Sequence, residues 1–250
     1  MNFLIINLRF SNYQLTKQKM KHKKVLLICV LIFWSFSPMA QVQVSQEPFH
    51  HMVFQNKFIR ILDVWLQPND TTQFHVHSTP SVFIYLSNTR YTAQVKGGGW
   101  IKDSSINGKT WYRSFSPDIL IHRVANIDSV PLHVNDIEIL PSYPSRPNGS
   151  SGSSKDNTQT KPLNFPVVYN NENAIAYKLT GENFNTKKIK GRGPLVAELI
   201  TGEEVFFHDD KTNHSKELQI GRFQYIEPGT SFSFFTKRKS KMSMILIEIK

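Results

Sequence analysis

The chain has 250 residues, 40% of them hydrophobic and 12% aromatic, and a formal net charge of +11. This composition excludes a disordered chain and leaves room for one large or two small domains. The charge does not mark a nucleic-acid binder. Residues 1–40 hold Arg9, Lys17, Lys19, Lys21, Lys23 and Lys24 and no acid, so residues 41–250 carry 24 basic against 19 acidic residues, only +5.

In chain order, the first forty residues read as an N-terminal extension plus a signal peptide. Met20-Lys21-His22-Lys23-Lys24 forms a basic start, and Val25 to Trp34 is an apolar run too short to span a bilayer. Small residues then lead to Ala40, where cleavage is expected. The predicted start is Met20, and the predicted destination is the periplasm or the medium, with no stable membrane insertion after leader removal. The single cysteine, Cys29, lies inside the apolar run. Residues 41–250 therefore have no disulfides and no thiolate ligands, and only packed cores to hold them.

From residue 41 the pattern is β. Residues 58–66, 81–86, 120–124 and 132–140 are rich in β-branched and aromatic residues, and turn sequences such as Pro68-Asn69-Asp70 and Ile106-Asn107-Gly108 separate them. No long stretch keeps a 3.6-residue period. Many short strands predict an antiparallel sandwich or barrel. Residues 143–164, with Asn148-Gly149-Ser150-Ser151-Gly152-Ser153-Ser154, read as a flexible linker. Strand pattern resumes at residues 174–179, 195–200, 221–226 and 242–249. The expected domains are therefore 41–142 and 165–250. Pro80-Ser81-Val82 lines up with Pro194-Leu195-Val196, and Ile137-Glu138-Ile139 with Ile247-Glu248-Ile249, which predicts an internal duplication.

Gln73-Phe74-His75-Val76-His77 is the sharpest local feature. Residues two apart on a strand share a face, so His75 and His77 can offer two imidazoles to one ion. The pair alone does not choose among imidazole-binding metals. His50-His51, near the expected mature N-terminus, is expected at the surface. His133 shares strand parity with Asn135, Ile137 and Ile139, which admits an inward position near the site, but a core hydrogen bond is the stronger expectation. Trp65, Trp100 and Trp111 are expected in the core or on a pocket wall.

The spacing resembles the cupin superfamily. That family's first motif runs Gly, five residues, His-x-His, three or four residues, Glu, six residues, Gly. Here Asn69 stands at the first Gly and Asn88 at the second, and Asn tolerates the positive φ such turns use. The second motif is matched by Pro117, His122 and Asn126, with Ile119 in place of its Gly. The resemblance implies two all-β, jelly-roll cupin barrels. It implies one divalent ion (Fe, Mn, Ni, Cu or Zn) held by His75, His77 and His122, with Ser81, Tyr85, Asn126 and His133 as possible pocket residues. The family's glutamate ligand falls at Ser81 or Val82 and is missing, which leaves three neutral imidazoles, as in three-His cupin dioxygenases. In the second copy the ligand positions become Ile189, Gly191, Leu195 and Phe232, so that domain is expected to be metal-free and structural or dimerising. Two functions follow as expectations: a metal-dependent oxygenase, isomerase or lyase acting on a small molecule, or a non-catalytic bicupin that binds one.

Overall fold

A computed structural model describes residues 41–141, 161–181, 184–237 and 241–250. The expected leader and most of the expected linker lie outside the described residues. The first set of strands is β1 (Val42–Gln43), β2 (His50–Gln55), β3 (Ile59–Leu66), β4 (His75–His77), β5 (Ser81–Tyr85), β6 (Thr89–Val95), β7 (Trp100–Ser105), β8 (Thr110–Arg113), β9 (Leu120–Asn126) and β10 (Leu132–Ile139). They form two five-stranded sheets, ordered β1-β4-β9-β6-β7 and β2-β3-β10-β5-β8. The second set is β11 (Val167–Asn170), β12 (Ala174–Gly181), β13 (Leu195–Thr201), β14 (Val205–Asp209), β15 (His214–Glu217), β16 (Phe223–Ile226), β17 (Phe232–Thr236) and β18 (Met242–Ile249). It forms a sheet ordered β11-β12-β18-β13-β16 and a smaller one ordered β15-β14-β17. Among the described residues no helix is long and apolar enough to cross a membrane.

The two sets share a pairing register. Ser81 faces Glu138 and Val82 faces Ile137 in the first barrel, while Leu195 faces Glu248 and Val196 faces Ile247 in the second. Ile61 pairs with Ile137 as Ala176 pairs with Ile247. These are the same positions that the Pro-x-Val and Ile-Glu-Ile matches align.

The central strands of the sheets β2-β3-β10-β5-β8 and β11-β12-β18-β13-β16 are buried on both faces, and the reason is a core between the barrels. Ile59, Ile61, Val82, Ile84 and Ile137 of the first barrel pack against Ala174, Ala176, Val196, Ile245 and Ile247 of the second. Small Ala residues opposite Ile let the sheets approach closely, and each buried Ile contributes about 1.5–3 kcal/mol relative to exposure. The face that sequence alternation alone would give to solvent is thereby buried.

Asn69 adopts φ 72°, the left-handed turn that its place in the motif predicts. Asn88 does not share that conformation. Its side-chain oxygen instead accepts the Asn107 amide at 2.9 Å and ties two turns together.

A buried polar pair interrupts the inter-barrel core. Glu198 on β13 is fully buried and accepts a hydrogen bond from Asn135 Nδ2 at 2.8 Å. Burial, with Asp63 nearby, pushes its carboxyl up to about 8. Unfolded, the group titrates near 4.5, so the folded state binds the extra proton between about 4.5 and 8 and stability falls as pH rises across that window. Glu198→Gln keeps an acceptor for Asn135 and removes the titration. It is expected to flatten the loss of stability between pH 5 and 8, measured by urea unfolding at each pH. Ile137→Ala is expected to cost about 2–5 kcal/mol and to lower a single unfolding transition shared by both barrels, because they share this core.

Candidate metal centre

The site is assembled where β4 crosses β9. His75 and His122 are direct partners across these antiparallel strands, and their rings lie 4.6 Å apart, centroid to centroid. His77, two residues along β4, is 5.0 Å from both rings. The three expected histidines therefore converge. Phe74 lies on the outside, where the Arg123 guanidinium sits over both Phe74 and Trp100 at 4.7 Å.

A fourth imidazole joins them, and here the surface expectation for His50 is corrected. His51 is exposed, but His50, the first residue of β2, is buried with its ring 4.6 Å from His75. One ligand nitrogen from each of His50, His75 and His77 lies within 4.8 Å of the others. The chain leading into β2 places His50 there. A short 3-10 turn, Val44–Gln46, ends at Glu47, whose Oε2 accepts His50 Nδ1 at 2.6 Å.

Hydrogen bonds fix two of the tautomers. A carboxylate only accepts, so His50 Nδ1 carries the proton and its Nε2 is left for other partners. His75 Nδ1 is 2.9 Å from the Gln73 carbonyl and donates to it, which leaves Nε2 as the lone-pair nitrogen. His75 Nε2, His77 Nδ1 and His122 Nε2 are buried with no hydrogen-bond partner. Leaving such a group unpaired costs about 1–3 kcal/mol. Burial, with His50 nearby, holds the His75 imidazole down to about 4. Burial and His75 hold His122 down to about 3, and burial and its histidine neighbours keep His77 well below its ordinary value. These are neutral imidazoles with free lone pairs, the form that ligates a divalent ion. The residues fit such an ion. Burial works against ionisation of Glu47, but hydrogen bonds from His50 and from the Gln73 and Phe49 amides hold it below the usual carboxylate range.

The cluster opens into a cavity of about 440 Å³ inside the first barrel. Val64, Leu66, Phe83, Trp111, Leu120, Val124, Leu132 and Val134 give it apolar walls. Phe83 stacks on Trp111 at 4.1 Å, and Phe115 stacks on His77 at 5.0 Å. Phe115 is held at φ 55°, a costly conformation for a bulky residue that recurs near functional sites. On the same lining, Tyr91 donates to Asp103 at 3.0 Å and pairs with Tyr85 at 2.8 Å. Tyr85 must therefore donate to Tyr91, and its oxygen accepts from the Trp111 indole. Asp136 also lines the cavity, 3.6 Å from His77 Nδ1. Burial, then the neighbouring Glu138, pushes its carboxyl well above the usual range.

Of the possible pocket residues, Tyr85 lines the cavity and three others do not. Ser81 is buried beside it and donates to the Thr79 carbonyl at 3.1 Å. Asn126 braces loops, donating to the Leu66 and Val130 carbonyls at 2.9 Å. His133 is corrected as a pocket residue and takes the other expected role, a hydrogen bond within the packed sheet. Its parity with Asn135 and Ile137 is as expected, but that face of β10 packs toward the second barrel, where His133 meets Asp63 at 2.7 Å and stacks on Trp65. The inward set on β10 is Leu132, Val134 and Asp136. Trp111 lines the cavity, while Trp65 and Trp100 are partly exposed. The missed residues were Glu47 and His50. Their sequence signal was a carboxylate three residues before a histidine, outside any motif of the barrel strands.

The second barrel replaces the site with packing. Ile189 bridges Phe232 as His75 pairs with His122. The position of Asp136 is taken by Leu246, and Phe207, Phe232 and Phe234 fill the interior. His122→Phe copies this solution into the first barrel. It is expected to raise the stability of the metal-free protein by about 1–3 kcal/mol, since it removes an unpartnered buried nitrogen; urea unfolding in chelator measures this.

No protein-family model and no curated protein sequence matches the chain. Solved structures do. AerE from Microcystis aeruginosa aligns over 82% of this chain and 98% of its own, with TM-score 0.54 and 13% identity. Salicylate 1,2-dioxygenase from Pseudoaminobacter salicylatoxidans, in adducts with gentisate, aligns over 90% of this chain and 79% of its own, with TM-score 0.54 and 11% identity. A cupin 2 conserved barrel domain protein from Leptotrichia buccalis aligns over 80% and 87%, with TM-score 0.50 and 11% identity. At these identities the likeness is one of fold: the chain shares the cupin-type barrel fold of these structures, built twice, with a histidine cluster in its first barrel.

Proposed function

We propose that the protein binds a divalent metal ion through the histidine cluster and uses it on a small, largely apolar molecule held in the first barrel, in a reaction of the dioxygenase type. The observation that carries this is the set of three buried imidazole nitrogens without partners beside a cavity with largely apolar walls. A cluster of neutral nitrogens serves no structural purpose that the Ile and Phe of the second barrel do not serve better. The kinship in fold with a dioxygenase that takes up gentisate supports a substrate of similar size, a small oxygenated ring. A bound divalent ion would supply Lewis acidity or dioxygen chemistry.

The chain's own residues account for the rest. His50, His75, His77 and His122 provide the donors. Phe83, Trp111 and Leu132 exclude water, which strengthens every electrostatic interaction inside. The Tyr85 hydroxyl, held by Tyr91 and Trp111, puts a fixed polar point on the cavity wall against which a ligand is oriented. Asp136 holds a proton next to His77 and can return it to a ligand oxygen. We also propose export, which rests on the basic, apolar and small-residue succession of residues 20–40.

Metal analysis of the purified chain after loading with Fe, Mn, Ni, Cu or Zn is expected to find about one ion per chain for at least one of them, and markedly less for His77→Ala. A wild-type protein that retains none of these ions sinks the proposal. With iron bound, oxygen uptake in the presence of hydroxylated aromatic acids separates a dioxygenase from a binding protein. Asp136→Asn is expected to slow that uptake by about 10²–10⁴-fold while leaving metal content unchanged.

A further inference from the structure

The family resemblance leaves the site short of a carboxylate at Ser81, yet a buried carboxylate reaches it from elsewhere. Glu47 belongs to the segment that precedes the barrel, and both of its oxygens are used. Oε1 accepts the Gln73 amide at 3.0 Å, and Oε2 accepts the Phe49 amide at 2.9 Å and His50 Nδ1 at 2.6 Å. Gln73 is held on its other side too, because its carbonyl accepts His75 Nδ1 at 2.9 Å. One carboxylate thus sets two imidazoles, His50 directly and His75 through the Gln73 backbone. The rest of the segment is attached at its two ends: β1 pairs with β4 over Val42 and Gln43, next to buried Val44, and Phe49 and His50 meet β3 through the Trp65 amide and Val64.

We propose that residues 42–50 are a metal-coupled clasp, with Glu47 as its positioning residue. This rests on the metal-binding reading above. His50 is the contact through which a bound ion holds the segment, and Glu47 transmits that hold to β4. Since the coupling between two sites is reciprocal, a metal that favours the docked segment is itself bound more tightly when the segment is docked. Glu47 does by position what the barrel glutamate does by ligation. It keeps a negative charge beside the cluster, one shell removed from the ion.

Hydrogen–deuterium exchange of the full chain, with and without Zn²⁺, tests the clasp, with β12 and β18 as internal controls. Zn²⁺ is expected to slow exchange across residues 42–50 by at least about fivefold, the low end of ordinary coupling between sites, and to leave the controls unchanged. In His50→Ala, Zn²⁺ is expected to bind through the remaining histidines with no effect on exchange in the segment. In Glu47→Gln, Zn²⁺ affinity, measured by competition with a chromophoric chelator, is expected to fall about 10–100-fold. Bound Zn²⁺ that leaves the segment's exchange unchanged in the wild type overturns the clasp alone, as does full affinity in Glu47→Gln. A wild-type chain that binds no Zn²⁺ and no other of the five ions overturns the metal reading and the clasp together. If a variant loses protection at β18 it is misfolded, and the wild-type comparison decides.

Discussion

A strand at the centre of a sheet that is covered on both faces has no polar side to spare. In this protein β3, β5 and β10 lie between the cavity of their own barrel and the Ile-rich core shared with the second barrel. Alternate residues of one strand therefore serve two unrelated purposes. On β10, Leu132, Val134 and Asp136 face the cavity, while His133, Asn135 and Ile137 face the other barrel. The placement of Asp136 beside His77 and of His133 away from it both follow from this division. So does the survival of Glu198, a buried carboxyl that the inter-barrel core holds protonated against Asn135.

The second barrel shows what the first gives up for its site. The same register carries His75 against His122 in one and Ile189 against Phe232 in the other. Apolar pairs fill the positions that the histidines occupy in the first, so the second barrel is a well-packed partner for it. The first keeps three unpartnered nitrogens and an open cavity at a standing energetic cost. A protein that retains such a cost in one copy and has removed it in the other divides labour between a site and its support.

The short segment before β2 changes the electrostatics of that site. A set of three neutral imidazoles has no charge to offset that of a divalent ion. With Glu47 behind His50, a negative charge stands one shell away and the imidazole it holds becomes a stronger donor. The carboxylate also reaches β4 through Gln73, so the geometry of the barrel ligands depends on a piece of chain outside the barrel strands.

Much of this was legible in the sequence because it is local or periodic. Strand positions, the left-handed turn at Asn69, the pairing of His75 with His77 and the matching positions of the two copies all follow from spacing along the chain. His122 was legible through a motif that stands in for a strand pairing. What the sequence could not decide is which face of a strand becomes interior, because parity groups residues without saying what each group meets. His133 and Asp136 were separated only once β10 was seen between two cores. Nor could spacing show that Glu47 and His50 fold back against Gln73 and His75. That contact is made over 26 positions between Glu47 and Gln73 and depends on the path of the chain in space.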